Sequence, residues 1–170
     1  AGSRAAVPGV VTESGVQYYT NEDIMRIDRV PEHLVILGSG YIATEFANVF
    51  SGMGAEVTLI GRSQVLLKHL DYELAELFTE IAGEKWDVRL GQGTTAINQI
   101  EKQREDGSSY LETTITFADG STVAGDALLV ATGRTPNVDR LGLENNSGVT
   151  VEKGRVVVDE FGRTTAPDVW

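Results

Sequence analysis

The sequence has 170 residues, which suffices for one well-packed core with short additional segments but not for a two-domain enzyme. Aspartate and glutamate outnumber lysine and arginine 25 to 14, a formal charge of −11, so nucleic acid and anionic membranes are not expected partners. With no cysteine and only His33 and His69, the chain has no disulfide, thiol redox or histidine-rich metal chemistry of its own. No apolar run approaches the roughly 20 residues that span a bilayer. Ala1-Gly2-Ser3-Arg4 lacks the basic-then-apolar pattern of an export signal, which makes the cytoplasm the expected location.

Residues 1–32 read as a connector. Val7-Pro8-Gly9 and Ser14-Gly15 are turn signals, and Thr20-Asn21-Glu22-Asp23 resembles a capped start to a short helix through Ile24, Met25 and Ile27. Leu34 to Leu37 is wholly apolar, as expected of a strand buried on both faces of a parallel sheet. It runs into Gly38-Ser39-Gly40. A helix follows from Tyr41, with Ile42, Phe46, Val49, Phe50 and Met53 expected on its buried face and Gly52 and Gly54 closing it. Val57 to Ile60 is a second buried strand, completing a β-α-β unit.

After the loop Gly61–Leu70, a second helix is expected with Asp71 as cap, Leu74, Leu77, Phe78 and Ile81 facing inward, and Gly83 at its end. A strand near Val88-Arg89-Leu90 follows. Segments 94–104 and 110–118, separated by Asp106-Gly107, are expected to pair antiparallel, and Ala118 to Ser121 forms a further turn. Ala127 to Ala131 is one more buried strand, ending in Thr132-Gly133. Beyond Pro136-Asn137 the pattern weakens to a loop over residues 144–148 and an isolated strand, Arg155 to Val158. Both ends read as parts of something larger.

The chemistry is concentrated at Gly38-Ser39-Gly40-Tyr41-Ile42-Ala43, a dinucleotide fingerprint with alanine in its third small position. The first glycine allows the tight turn, the second admits a pyrophosphate to the backbone, and the helix N-terminus offers free amides and a positive dipole end. On its own the motif is weak; between a buried strand and an amphipathic helix it has the context it requires. About 20 residues further on, sites for NAD place a carboxylate for the ribose 2′-hydroxyl. Gly61 and Arg62 stand there instead. A guanidinium grips a 2′-phosphate that a carboxylate would repel, with Lys68 as a second cation and Ser63 as a hydroxyl. The alternative is that Arg62 and Lys68 are ordinary surface charges. Tyr41 and Glu45 are neighbours along the helix, and spacing leaves open whether they cover a nicotinamide or are a packed tyrosine and a solvated glutamate.

Together with A-T-G-R-T-P-N at residues 131–137, G-S-G-Y-I-A-T-E at 38–45 makes the chain resemble the flavoprotein disulfide reductases of the glutathione reductase and dihydrolipoamide dehydrogenase family. Thr20 to Met25, Gly38 to Phe50, Arg62-Ser63-Gln64 and Leu70-Asp71 resemble the mycothione reductase branch. The resemblance implies a Rossmann-like, three-layer NAD(P)-binding domain with a parallel sheet and a small antiparallel insertion. Residues 1–32 then correspond to a connector from an FAD domain, 33–137 to an NADPH-binding domain, and 138–170 to the start of a return segment to the FAD domain. Ala1-Gly2-Ser3 is alternatively a cloning scar.

By that resemblance Tyr41 gates the flavin, Glu45 pairs with a flavin-side lysine, Arg62, Ser63 and Lys68 surround the 2′-phosphate, Gly133 faces the nicotinamide half, and Arg134 lies near the FAD boundary. The implied parent is a homodimer that passes hydride from NADPH to FAD and on to a small disulfide, using cysteines outside this chain; the chain alone is expected to be inactive. Three other readings are a flavin-free dehydrogenase, a stand-alone NADPH-binding sensor, and a dihydrolipoamide dehydrogenase-like enzyme using NAD.

Overall fold

The computed structural model describes residues 2–145 and 148–170. In chain order the elements are β1 (Ser3–Ala5), α1 (Gly9–Thr12), a 3-10 turn (Ile24–Arg26), β2 (His33–Leu37), α2 (Tyr41–Gly52), β3 (Glu56–Gly61) and α3 (Tyr72–Lys85). They continue with β4 (Asp87–Leu90), β5 (Thr94–Gln103), β6 (Ser109–Phe117), β7 (Thr122–Gly125), β8 (Ala127–Val130) and β9 (Arg134–Pro136). Two 3-10 turns (Asn137–Arg140 and Leu143–Asn145), β10 (Val151–Glu152) and β11 (Arg155–Val156) complete the elements, and residues 157–170 follow without further helix or strand. These form two compact units, residues 7–133 and residues 1–6 with 134–170.

In the larger unit, β4-β3-β2-β8 is a parallel sheet and β5-β6-β7 an antiparallel one. Alternation along the parallel strands divides the core in two. Leu34, Ile36, Val57 and Leu59 pack with Ala43, Ala47, Phe50 and Ala82 of the helices. Val35, Leu37, Ile60, Leu128 and Val130 pack with Ile97, Ile115, Phe117 and Val123 of the antiparallel sheet. The result is three layers, helices over parallel sheet over antiparallel sheet, the α/β arrangement that the family resemblance implies. The connector adds to the edge of β8, where the Tyr19 carbonyl accepts the Val130 N–H at 2.8 Å and the Tyr19 N–H donates to the Leu128 carbonyl at 2.8 Å.

Local chemistry explains the element ends. Asp71 caps α3 by accepting the Glu73 N–H at 3.1 Å. Asp23 accepts the Thr20 N–H at 2.6 Å, closing the turn before Ile24. Past α2, Gly54 (φ +98°) takes the left-handed position; its N–H donates to Ser51 and the Ala55 N–H to Phe50. This is the Schellman pattern that glycine favours.

Four expectations are corrected. The buried face of α2 is Ala43, Thr44, Ala47 and Phe50, with Ile42 and Phe46 half-buried and Val49 and Met53 exposed. In α3 the buried residues are Ala75 and Ala82, whereas Leu74, Leu77 and Ile81 are exposed. A helix lying close on a sheet presents its small residues to it, so the stripe of large side chains is rotated off the contact. Gly83 does not end α3, which runs to Lys85 and is followed by the buried Trp86. Arg155 and Val156 do have a partner, β10.

In the smaller unit β1 pairs antiparallel with β9. Arg4 makes two 2.9 Å bonds to the Asp139 carboxylate and one of 2.9 Å to Asn137. Of the loop expected over residues 144–148, Asn146 and Ser147 lie outside the described residues, as does Ala1.

Candidate functional site

The carboxyl ends of β2, β3 and β8 meet at one point. From β2 the chain goes to β3 on one side, and later places β8 on the other. Such a reversal of strand order leaves a crevice beyond the strand ends, the place where open α/β sheets bind ligands. Gly38 forms the crevice floor. Its N–H donates to the Ile60 carbonyl at 2.8 Å, while the Ala131 N–H donates to Leu37 at 2.7 Å. Gly38 has φ +147°, and a Cβ there would lie 2.3 Å from the Ala131 carbonyl oxygen. Only glycine satisfies both the dihedral and the contact.

Gly40 precedes α2 and faces open space: a Cβ there would meet nothing within 4 Å. No side chain caps the helix. The amides of its first turn have no intrahelical acceptor, so α2 presents a bare, positively polarised end to the crevice. Thr44, buried one turn in, donates its hydroxyl to the Tyr41 carbonyl at 3.0 Å and leaves those amides untouched. The donor set and the space above it fit a pyrophosphate. Tyr41 and Glu45 are exposed on this first turn, and Ile42 is half-buried. Gly133, just beyond β8, has φ +144° and likewise faces open space.

The loop after β3 is fastened to the glycine turn. Ser39 accepts the Leu67 N–H on its carbonyl at 2.8 Å, and its hydroxyl lies 3.0 Å from that of Ser63. The Ser63 carbonyl accepts the Gly91 N–H at 3.0 Å, and the Leu66 N–H donates to Thr79 of α3 at 2.9 Å. Leu66 is fully buried and Leu67 takes a left-handed φ of +53°. Strain of this kind persists where surrounding contacts over-determine it. Arg62 and Lys68 stand exposed on either side of this stitched segment, and neither meets a carboxylate among the described residues. In a chain of net charge −11, two cations without acidic partners beside a bare helix end make an anion-attracting rim.

The structure therefore brings Gly38, Ser39, Gly40, Tyr41, Ile42, Glu45, Arg62, Ser63 and Lys68 into one region of the larger unit. Arg134 is placed differently, in β9 of the smaller unit, where its Nε donates to the Ser3 hydroxyl at 2.7 Å and its Nη2 to the Ser3 carbonyl at 2.6 Å. Sequence reasoning placed Gly61 at the position of the NAD carboxylate but gave it no packing role, and it missed Leu67 and Gly91. A Cβ on Gly61 would lie 2.7 Å from the Ser39 Cβ, and one on Gly91 would lie 2.8 Å from the Gln64 amide. A glycine directly at a strand end was the available signal for Gly61.

A cleft of about 340 Å³ opens at the opposite end of the sheet, lined by Tyr19, Arg29, Arg104, Tyr110 and Asp126 among others. No helix among the described residues is long and apolar enough to cross a membrane.

A parallel sheet with reversed strand order, a glycine turn at the reversal and an uncapped helix behind it define a Rossmann-like α/β domain. The family described as pyridine nucleotide-disulphide oxidoreductase matches residues 1–170, and the chain belongs to that family. The family comprises FAD-dependent oxidoreductases that use a nicotinamide nucleotide. The chain is 47% identical over 170 residues to mycothione reductase of Mycobacterium tuberculosis, covering all of this chain and 35% of that protein. It is 35% identical over 170 residues to glutathione reductase of Burkholderia cepacia, covering 99% of this chain and 35% of that protein. The HOCl-induced flavoprotein disulfide reductase RclA of Escherichia coli superposes with a TM-score of 0.80 at 29% identity, covering 99% of this chain and 37% of that one. The chain thus spans about a third of the length of these relatives.

Proposed function

We propose that this chain is the NADPH-binding domain of an FAD-dependent disulfide reductase of the mycothione reductase type. The observation that carries the reading is the pairing of the bare α2 N-terminus with a loop that offers Arg62 and Lys68 where NAD sites hold a carboxylate. The α2 amides and Gly40 take the pyrophosphate. Arg62 and Lys68 take the 2′-phosphate, Arg62 by its planar fork and Lys68 as a point charge. Tyr41 and Glu45 border the nicotinamide half together with Gly133, whose open face admits a flat ring.

When bound, NADPH would supply the hydride by which the flavin of the parent enzyme reduces a small disulfide. This chain holds no thiol for the last step, so its own part is to bind and orient. Identity to a mycothione reductase supports mycothione as the substrate class, and the lengths of the relatives support a parent with FAD and dimerisation domains.

Calorimetric titration with NADPH and NADH tests the reading. NADPH should bind more tightly to the wild type. Arg62→Ala should weaken NADPH by roughly 10- to 100-fold, the worth of a hydrogen bond between charged groups, and leave NADH unchanged. Equal affinity of the wild type for both, or disulfide reduction by this chain alone, refutes it.

A further inference from the structure

Ser63 stands next to Arg62, where a hydroxyl for the ribose phosphate is expected, yet its proton is engaged elsewhere. Its Oγ donates to the Val65 carbonyl at 2.7 Å. A hydroxyl carries one proton, so in the 3.0 Å contact between Ser39 and Ser63 the donor is Ser39. The two hydroxyls are satisfied within the protein.

Ser39 holds the loop at a second place, accepting the Leu67 N–H at 2.8 Å. One residue of the glycine turn therefore grips both ends of the span 63–67, and that span lies between Arg62 and Lys68. Ser39 also touches the root of the loop. Gly61 is buried, and a Cβ on it would lie 2.7 Å from the Ser39 Cβ and 2.7 Å from the Leu90 Cδ2. The leucine methyl can rotate aside; the serine Cβ is fixed by the backbone of the turn. Gly61 has no left-handed φ, so what it supplies is space. A side chain at this strand end, including the carboxylate that NAD sites carry there, pushes directly against the turn that receives the pyrophosphate.

The geometry points to Ser39 as the positioning residue of the cation loop: through Ser63, Leu67 and its contact with Gly61, it sets where Arg62 and Lys68 stand relative to the glycine turn, and so sets the preference for a dinucleotide bearing a 2′-phosphate. The inference rests on the NADPH reading above. Ser63 acts through Ser39 and not as a phosphate donor.

The test is the ratio of the NADH to the NADPH dissociation constant, measured calorimetrically on the 170-residue chain. Ser39→Ala and Ser63→Ala should each lower the ratio by roughly three- to tenfold, as for loss of the Ser39–Ser63 hydrogen bond, with NADPH weakened more than NADH. A general loss of structure would weaken both cofactors. Ser63→Ala already loses both the bond to Ser39 and the bond to Val65, so the double variant should be no worse than Ser63→Ala alone. Additive losses, or single variants with the wild-type ratio, overturn the inference.

Gly61→Ala should lower the ratio further, and combining it with Ser39→Gly, which removes the opposing Cβ, should return it to the Ser39→Ala level. Failure of that rescue in folded protein also overturns the inference; if Gly61→Ala does not fold, the serine cycle decides alone. A wild-type ratio near one would remove the NADPH reading and this inference together. A wild-type ratio well above one with an unresponsive serine cycle would remove only the inference.

Discussion

Removing the Asp126 carboxylate should destabilise the larger unit by about 3–4 kcal/mol. Asp126 sits between β7 and β8 with its side chain only 5% exposed, paired with Arg104, itself 10% exposed, at 2.6 Å. It also accepts two backbone N–H groups, from His33 at 2.8 Å and Glu32 at 3.1 Å. In Asp126→Ala, three donors lose their acceptor at once and a guanidinium is left buried. Breaking a buried pair from one side costs roughly 3–5 kcal/mol. The lower part of that range applies because Arg104 keeps a 3.2 Å contact to Glu32 and its stacking on the Tyr110 ring, 4.2 Å from the centroid. Arg104→Met should cost less, since Asp126 then keeps both backbone donors. Glu32→Ala should cost less than about 1 kcal/mol, because that carboxylate is 68% exposed and its pairing is screened. Urea unfolding of the three variants gives the order directly. If Glu32→Ala proves as costly as Asp126→Ala, the charge is not organised by burial and the reasoning fails.

Gly38→Ala should cost more than about 3 kcal/mol, because the new methyl overlaps the Ala131 carbonyl and the backbone dihedral is closed to alanine; a denaturation midpoint close to wild type would contradict the close approach of β2 and β8. Asp71→Ala should lose about 1 kcal/mol with the α3 cap, read from the same melts, and Asp71→Asn should recover most of it. Asp119 titrates below the ordinary carboxylate range, chiefly because it accepts the Ser121 hydroxyl at 2.6 Å and then the Ser121 N–H at 2.9 Å. A depressed folded-state value means that its contribution is present above the ordinary carboxylate range and is lost as pH falls through it. An NMR titration of Ser121→Ala should show the Asp119 midpoint rising, and an unmoved midpoint would exclude the hydroxyl as the cause.

How much of this was legible in the sequence depended on how local each determinant is. The strand of Leu34–Leu37, the glycine turn and the strand of Ala127–Ala131 could be read directly, because burial on both faces demands unbroken apolar runs and a phosphate turn demands glycine. The helices were legible as helices but not in their rotation. Hydrophobicity favours Leu74, Leu77 and Ile81, whereas close packing on the sheet selects Ala75 and Ala82. Strands of two residues, such as β10 and β11, are too short to show any period. Tyr19 joining the edge of β8 left no local mark, since nothing near Tyr19 names a partner more than a hundred residues away. The same limit hid the Ser39–Gly61 contact, which exists only once two strand ends lie side by side.

The two ends of the β2–β8 pairing divide the work between stability and function. At the amino ends, Asp126 gathers the amides of Glu32 and His33, and its own N–H returns a bond to the His33 carbonyl at 3.1 Å. The Asp126 carboxylate is thus engaged inside the protein, and these bonds lock the register of β8 against β2. At the carboxyl ends, Gly38 lets the strands approach just as closely, but the chain then turns into an uncapped helix whose first amides have no internal acceptor. Unsatisfied donors are tolerable only where solvent or a ligand reaches them. A clamp at one end thus makes an open donor set possible at the other, because the strands need no side-chain bonds near the glycine turn to hold their register. On this argument Asp126→Ala should weaken dinucleotide binding even at temperatures where the chain stays folded, through slippage of β8 against β2 and the resulting shift of Gly38. Unchanged affinity in the folded variant would show that the glycine turn holds its own geometry without the distant clamp.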